Sequence, residues 1–272
     1  EDGREYARTV SFVLREDTLW AKAGHEVAFG QYVFTAGQND CGGEEQQCHN
    51  GGQVKLMETP WTWVDSPFNT GIKKPGFDVI ISREKGVIVS IKVGGRELVS
   101  DIPKPSFWRA PTDNDSGCMM PFEYGQWKLA SLYQKMKSYA VSQNDGDFVI
   151  TAVHLLATQP ETELKTIYTF SRDGRMHVEM AFEGADGLSP MPEFGMIFKI
   201  PADYDYTKWY GRGPEENYMD RNMGCKLGIY SKRVEEHISP YVIPQECGNH
   251  TGVRYMDVCD ASGTGLRFSG HS

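Results

Sequence analysis

No apolar run in this sequence approaches the roughly 20 residues a helix needs to cross a bilayer. The first residues also lack the basic and apolar regions of a secretory signal. The chain therefore reads as soluble, with no membrane partner. Basic runs are missing as well: 28 Lys and Arg stand against 37 Asp and Glu, a net charge of −9, which argues against nucleic acid and anionic surfaces as partners. Cysteine is scarce, six residues in 272, and no CxxC pair gives zinc-ligand spacing. Cys41, Cys48 and His49, with Cys247 and His250 far downstream, match no zinc template, so no metal site is expected. Free thiols are the default reading, and a Cys41–Cys48 disulfide closing a glycine-rich loop stays open beside it.

Helical patterning is sparse too. Trp127–Met136 places Leu129, Leu132, Tyr133 and Met136 on one face, and Arg233–His237 suggests a short turn. What recurs instead is strict alternation. Met176, Val178, Met180 and Phe182 interleave with Arg175, His177, Glu179 and Glu183, the period-2 pattern of a half-buried antiparallel strand. Leu164, Thr166, Tyr168 and Phe170 repeat it, as do Phe194, Met196, Phe198 and Ile200, and also Phe77–Ile81 and Val87–Val93 around a turn at Gly86. Gly94-Gly95 reads as a hairpin turn. With 29 glycines and no βαβ rhythm, the fold class is all-β, antiparallel sheets packed face to face. A chain of this length buries about 70% of its extended surface, enough for a core without a metal or covalent staple.

Thr35–Gly76 interrupts the pattern with Gly42-Gly43, Gly51-Gly52 and the polar run Glu44–Gln47, and reads as a linker holding one or two short strands. Residues 1–35 before it are too few to bury a core alone. Glu1 stands where Met would, and strand-like Tyr6–Leu14 follows almost at once, so we expect a piece of a longer protein whose compartment, cytoplasmic or exported, stays undecided.

Two motifs concentrate polar chemistry. In Phe107-Trp108-Arg109-Ala110-Pro111-Thr112-Asp113-Asn114-Asp115-Ser116-Gly117 an Arg precedes an Asp-Asn-Asp run. The pattern suits a turn-rich loop in which Arg109 holds Asp113 or Asp115 by a bidentate pair. The second motif runs from Trp209 to Arg221 and offers carboxylates, an amide and aromatics. Candidate loop anchors or sugar-site edge residues are therefore Arg109, Asp113, Asn114, Asp115, Trp209, Glu215, Asn217 and Tyr218.

FWRAPTDNDSG, WYGRGPEENYMDR and SPYVIPQECGNHTGVRYM, in this order, resemble the C-terminal sandwich domain of bacterial β-galactosidases of glycoside hydrolase family 2. Upstream, Trp20–Ala28 is similar to the last strands of the immunoglobulin-like domain that precedes it in that family. The resemblance implies three parts: 1–35 as terminal immunoglobulin-like strands, 36–76 as linker, and 77–272 as a galactose mutarotase-like super-sandwich that lacks its final strands and their galactose-lining tryptophan. It further implies a parent enzyme that hydrolyses terminal β-D-galactosides with retention and assembles as a homo-oligomer. The catalytic glutamates, and any Mg²⁺ or Na⁺, would belong to domains outside this chain. No cofactor and no catalytic residue is assigned to the chain itself.

Retaining hydrolysis needs two carboxyl groups about 5.5 Å apart, whereas adjacent Glu215 and Glu216 on extended backbone point to opposite faces. Trp61 and Trp63, two residues apart, are expected to pack in the core rather than to form a sugar platform. His154, His177 and His237 read as isolated. A non-catalytic carbohydrate-binding module and a mutarotase-like isomerase, the latter requiring a His acid and a Glu base in one groove, stand as the alternatives.

Overall fold

The structure is a computed structural model that describes residues 5–35 and 60–270. Cys41, Cys48, His49 and most of the expected linker lie outside the described residues. The architecture is all-β, as the alternation predicts, and the described residues fall into two compact units: 5–35, 205–240 and 247–270 in the first, 60–204 and 241–246 in the second.

The first unit opens with a hairpin of β1 (Glu5–Val13) and β2 (Glu26–Thr35). In the second unit β3 (Thr62–Asp65), β4 (Asn69–Lys74), β5 (Phe77–Ser82), β6 (Val87–Val93) and β7 (Arg96–Glu97) form a five-stranded meander. The short strands expected inside 36–76 are thus β3 and β4, and they are integral to this sheet. Gly94 and Gly95 both have positive φ and make the tight turn into β7, as I′ geometry requires of a two-residue hairpin loop. Then come β8 (Lys104–Ser106) and three short helices, α1 (Asp113–Gly117), α2 (Met120–Glu123) and α3 (Gln126–Leu132). A four-stranded meander follows: β9 (Gln134–Asn144), β10 (Asp147–Leu156), β11 (Thr162–Phe170) and β12 (Met176–Phe182), and β13 (Gly195–Ile197) pairs with β8. The expected strand over 194–200 shrinks to these three residues.

The two meanders pack face to face through their alternating apolar sides. Phe77, Val79 and Ile81 of β5 are buried, as are Phe148, Ile150 and Ala152 of β10 and Leu164, Tyr168 and Phe170 of β11. Trp61 lies edge-on to Phe77 and Phe170, with ring centroids 5.3 and 6.0 Å away, and its indole N–H donates to the Ser171 carbonyl at 3.2 Å. It is a core residue, while Trp63 tilts onto Phe148 and stays 43% exposed. His154 is buried on β10 with Nε2 2.7 Å from the Lys85 carbonyl.

The helical reading needs correction at two points. α3 stops at Leu132, because Tyr133 is extended and Met136 already belongs to β9. Its buried face is Trp127 and Ala130, clustered with Phe107, Leu156 and Leu164, whereas Leu129, Leu132 and Tyr133 are at least half exposed.

The first unit continues with β14 (Tyr206–Gly213), β15 (Lys226–Arg233), a 3-10 turn over Val234–His237, β16 (Tyr255–Cys259) and β17 (Gly265–Ser269), in the sheet order β15-β14-β16-β17. The hairpin is tied to this sheet by polar contacts. The Gln31 amide acts as a strand surrogate on the β15 edge, taking the Leu227 N–H at 2.8 Å and donating to its carbonyl at 2.9 Å. Glu26 receives Lys226 Nζ at 2.7 Å on both oxygens, and Glu5 receives Arg254 and the Tyr210 hydroxyl.

Candidate functional site

The two polar motifs fall in different units, and each builds its own loop. In the second unit Thr112 caps α1: its hydroxyl accepts the Asp115 N–H at 3.1 Å while Asp115 returns a bond from the Thr112 N–H at 2.8 Å. This reciprocal box satisfies two otherwise orphaned donors. It also turns the Asp115 carboxylate toward Arg109, which grips both oxygens. Burial pushes the Asp115 carboxyl up, but the Arg109 and Thr112 hydrogen bonds outweigh it and hold it below the usual aspartate range. Asp113 and Asn114 are exposed instead, and the Asp113 N–H donates to Gln245 Oε1 at 3.0 Å. Glu246 accepts the Ala110 N–H at 3.2 Å. Glu193, which no motif singled out, joins this group: burial and the nearby Glu246 raise its carboxyl, and Arg109 opposes the shift.

In the first unit Asn217 organises the second motif. It is fully buried, and every polar atom of its amide is used. Nδ2 donates to the carbonyls of Glu215 at 3.0 Å and Arg212 at 3.3 Å, and Oδ1 accepts the Thr251 N–H at 2.8 Å and the Thr251 hydroxyl at 2.5 Å. A backbone bond from Asn217 N to the Asn249 carbonyl, 2.8 Å, and the Asn249 amide to the Asn217 carbonyl, 2.7 Å, complete the staple between 212–217 and 249–251. Trp209 lies fully buried beneath, its indole N–H on the Arg212 carbonyl at 3.1 Å, so it cannot stack on a sugar. Tyr218 is half-buried, with the Arg221 guanidinium 4.7 Å over its ring.

Glu215 and Glu216, in the bend after β14, take different partners. The Glu215 side chain is 77% exposed and pairs with Lys232 at 3.1 Å, while that of Glu216 is 8% exposed, held by Arg221 and by the Gly248 N–H at 2.8 Å. Both line a polar pocket of about 70 Å³ together with Lys232, Glu236, His237 and His250. Small-molecule sites span roughly 300–1,000 Å³, so this one has room for little more than water or a single protruding group. His237 is not isolated: its Nε2 lies 2.7 Å from Thr207 Oγ1 and its Nδ1 3.1 Å from His250 Nε2. Among the described residues no group of three or more His, Cys, Asp or Glu could hold a metal ion. Cys118, Cys225, Cys247 and Cys259 are free thiols. Among the described residues no helix is long and apolar enough to cross a membrane.

An all-β chain carrying these loops belongs to the β-galactosidase small-chain family, whose model, "Beta galactosidase small chain", matches residues 73–272. The model "Beta-galactosidase, domain 4" matches residues 1–35. The relatives say the same. The chain is 37% identical to a β-galactosidase of Halalkalibacterium halodurans over 96% of its own length and 25% of the relative's. It is likewise 37% identical to one from Streptococcus thermophilus, covering 96% of this chain and 24% of that protein. A β-galactosidase small subunit of Latilactobacillus sakei is 28% identical, with 69% of this chain and 65% of the subunit aligned. The chain spans about a quarter of the length of the first two.

Proposed function

We propose that the chain is the C-terminal accessory part of a β-galactosidase whose whole hydrolyses terminal β-D-galactosides with retention. The observation that carries this is the ordered pair of family matches, domain 4 over 1–35 and small chain over 73–272. The domain reading goes with it: immunoglobulin-like strands in 1–35, a linker from 36, and a mutarotase-like sandwich up to 272, to whose five-stranded sheet β3 and β4 of the expected 36–76 linker belong. The chemistry is assigned to the remaining three quarters of the longer protein, along with any Mg²⁺ or Na⁺. In this chain Glu215 and Glu216 are each engaged by a cation, Lys232 and Arg221, where a retaining pair needs one carboxyl group protonated. The role left to Arg109, Asp113, Asn114 and Asp115 in one unit, and to Trp209, Glu215, Asn217 and Tyr218 in the other, is to hold each unit's own loop rigid, as structural anchors or sugar-site edge residues in a homo-oligomeric parent enzyme. Nucleic acid and membrane are no part of this reading.

The purified chain should release no chromophore from a chromogenic β-galactoside above a buffer blank. Turnover that vanished in Glu215→Gln or Glu216→Gln would place the chemistry in this chain and overturn the assignment. A carbohydrate-binding module acting alone would instead bind galactose or lactose in calorimetry without the rest of the protein.

A further inference from the structure

His237 and His250 have no part in the function proposed above, yet with both rings neutral they close a hydrogen-bond chain that starts at Thr207. The Thr207 hydroxyl lies 2.8 Å from the Lys232 carbonyl and 2.7 Å from Nε2 of His237, and its one hydrogen goes to one or the other. In either direction a single hydrogen bridges Nδ1 of His237 and Nε2 of His250 across 3.1 Å. Nδ1 of His250 is left buried without a formed hydrogen bond. Both rings lie on the buried Trp209 indole, at centroid distances of 5.3 and 4.3 Å.

This chain joins two segments. His237 ends the 3-10 turn of Val234–His237, and His250 sits in 247–251, which is fastened independently by Asn217 and by Glu216 on the Gly248 N–H. The turn's other ties sit at its start: the Val234 N–H reaches the Asp205 carbonyl at 2.9 Å and Arg233 holds the Asp205 carboxylate and the Tyr206 hydroxyl, while Glu236 to the Arg233 N–H and the Ile238 N–H to the Glu235 carbonyl are internal to it. We propose that the His237–His250 pair is an acid-operated latch: with both rings neutral it holds the 234–240 turn against 247–251, and protonation of both rings releases the turn and uncovers Trp209.

The geometry makes the second proton decisive. A first proton can enter on the nitrogen of the pair that faces away from the contact and leave one hydrogen between the rings. A second would set two N–H groups against each other across the contact that now binds them. The surroundings disfavour even the first. Burial and Lys232 of β15 lower His237, with Glu236 of the turn opposing. Burial and the adjacent His237 push His250 down to about 4, partly offset by the Arg212 carbonyl, while Lys232 lowers it further and Glu215 raises it. Glu216 also lines this pocket but is neutralised by Arg221. Once released, each ring would titrate near its ordinary value of about 6.5. The open form therefore binds more protons, and opening is favoured as pH falls from about 6.5 toward about 4.

Amide hydrogen exchange of the 272-residue chain, corrected for the pH dependence of intrinsic exchange, reads the opening directly. Between pH 7.5 and 5, protection of 234–240 should fall on the order of 30-fold from the release of His250 alone, by the ratio of open to closed proton binding, and further with the release of His237. Meanwhile β10 and β11, remote in sequence and in the other unit, should keep theirs. His250→Gln retains an amide donor toward His237 and should reduce the response to the single-histidine level, and His237→Gln with His250→Gln should flatten it. Unchanged protection of 234–240 down to pH 5 would overturn the latch. So would a full wild-type response in His250→Gln, which would assign the effect to Glu215 and Glu236. Should the variants not fold, ring-proton NMR of the wild type decides: two imidazoles titrating near 6.5 without change in the turn's amide signals would refute it equally.

Discussion

Replacing Asn217 by alanine removes four hydrogen bonds from a residue with no exposed surface. Their loss is unequal. The Arg212 carbonyl keeps the Trp209 indole N–H, and the Thr251 hydroxyl can turn to another acceptor, so neither is stranded. The Thr251 N–H and the Glu215 carbonyl lose their amide partner, and an unsatisfied buried group costs about 1–3 kcal/mol. Allowing for a weak Cys225 Sγ contact still reaching the Glu215 carbonyl at 3.7 Å, we expect a loss of about 3 kcal/mol. For a cooperative unit of about 100 residues that lowers the melting midpoint by roughly 10–20 °C. Denaturant unfolding followed by tryptophan fluorescence measures it. Asn217→Asp adds a sign test: its carboxylate would face the Arg212 and Glu215 carbonyls, raising the folded-state value above the unfolded 3.9 or so. A group raised on folding stabilises the protonated native state, so this variant, measured against Asn217→Ala, should gain stability as pH falls through the folded value and on down toward about 4. A loss below about 1 kcal/mol in Asn217→Ala would show that the backbone bonds between 217 and 249 hold the loops unaided.

Arg109→Ala should cost about 1–3 kcal/mol in denaturant unfolding, between the exposed and buried limits for ion pairs, because the partners' side chains are 28% and 19% exposed. Arg109→Lys should recover only part, since an ammonium cannot reproduce the two-point grip on Asp115. Gly86→Ala and Gly94→Ala separate strain from crowding. Both have positive φ, but a Cβ at 86 would stand 2.9 Å from Ala152 Cβ and 3.1 Å from His154 Nε2, whereas 94 is open. Thermal melts should show about 1–2 kcal/mol lost at 94 and a further 1–3 at 86 from overpacking; equal losses would refute the crowding. Gln31→Ala should raise amide exchange at Leu227 and along β1–β2 while leaving β10 and β11 unchanged, because only the hairpin and the β15 edge lose their surrogate pairing.

The strands were legible because burial and sequence share one period. β10 and β11 alternate between buried and half-exposed or exposed positions along their whole lengths, and no tertiary contact has to be known to see it. α3 was misread for the opposite reason. Leu129, Leu132 and Tyr133 form as apolar a stripe as Trp127 and Ala130, and periodicity cannot say which stripe meets Phe107 and Leu164. Nor could spacing reveal the His237–His250 contact, which is made by two loops brought together over the sheet through Thr207 and Asn217. Arg109 is the instructive middle case. Its position before two aspartates predicts a bidentate pair without choosing the partner, yet Thr112 and Asp115 stand at capping-box spacing, three residues apart. A carboxylate that must reach back to the Thr112 N–H is held on the side of the turn where Arg109 arrives, while Asp113, at the first helical position, points outward. The cap therefore selects Asp115, and Asp113→Ala should leave the loop's stability within about 0.5 kcal/mol of wild type, as exposed substitutions do, where Asp115→Ala loses the ion pair and the bond from the Thr112 N–H together.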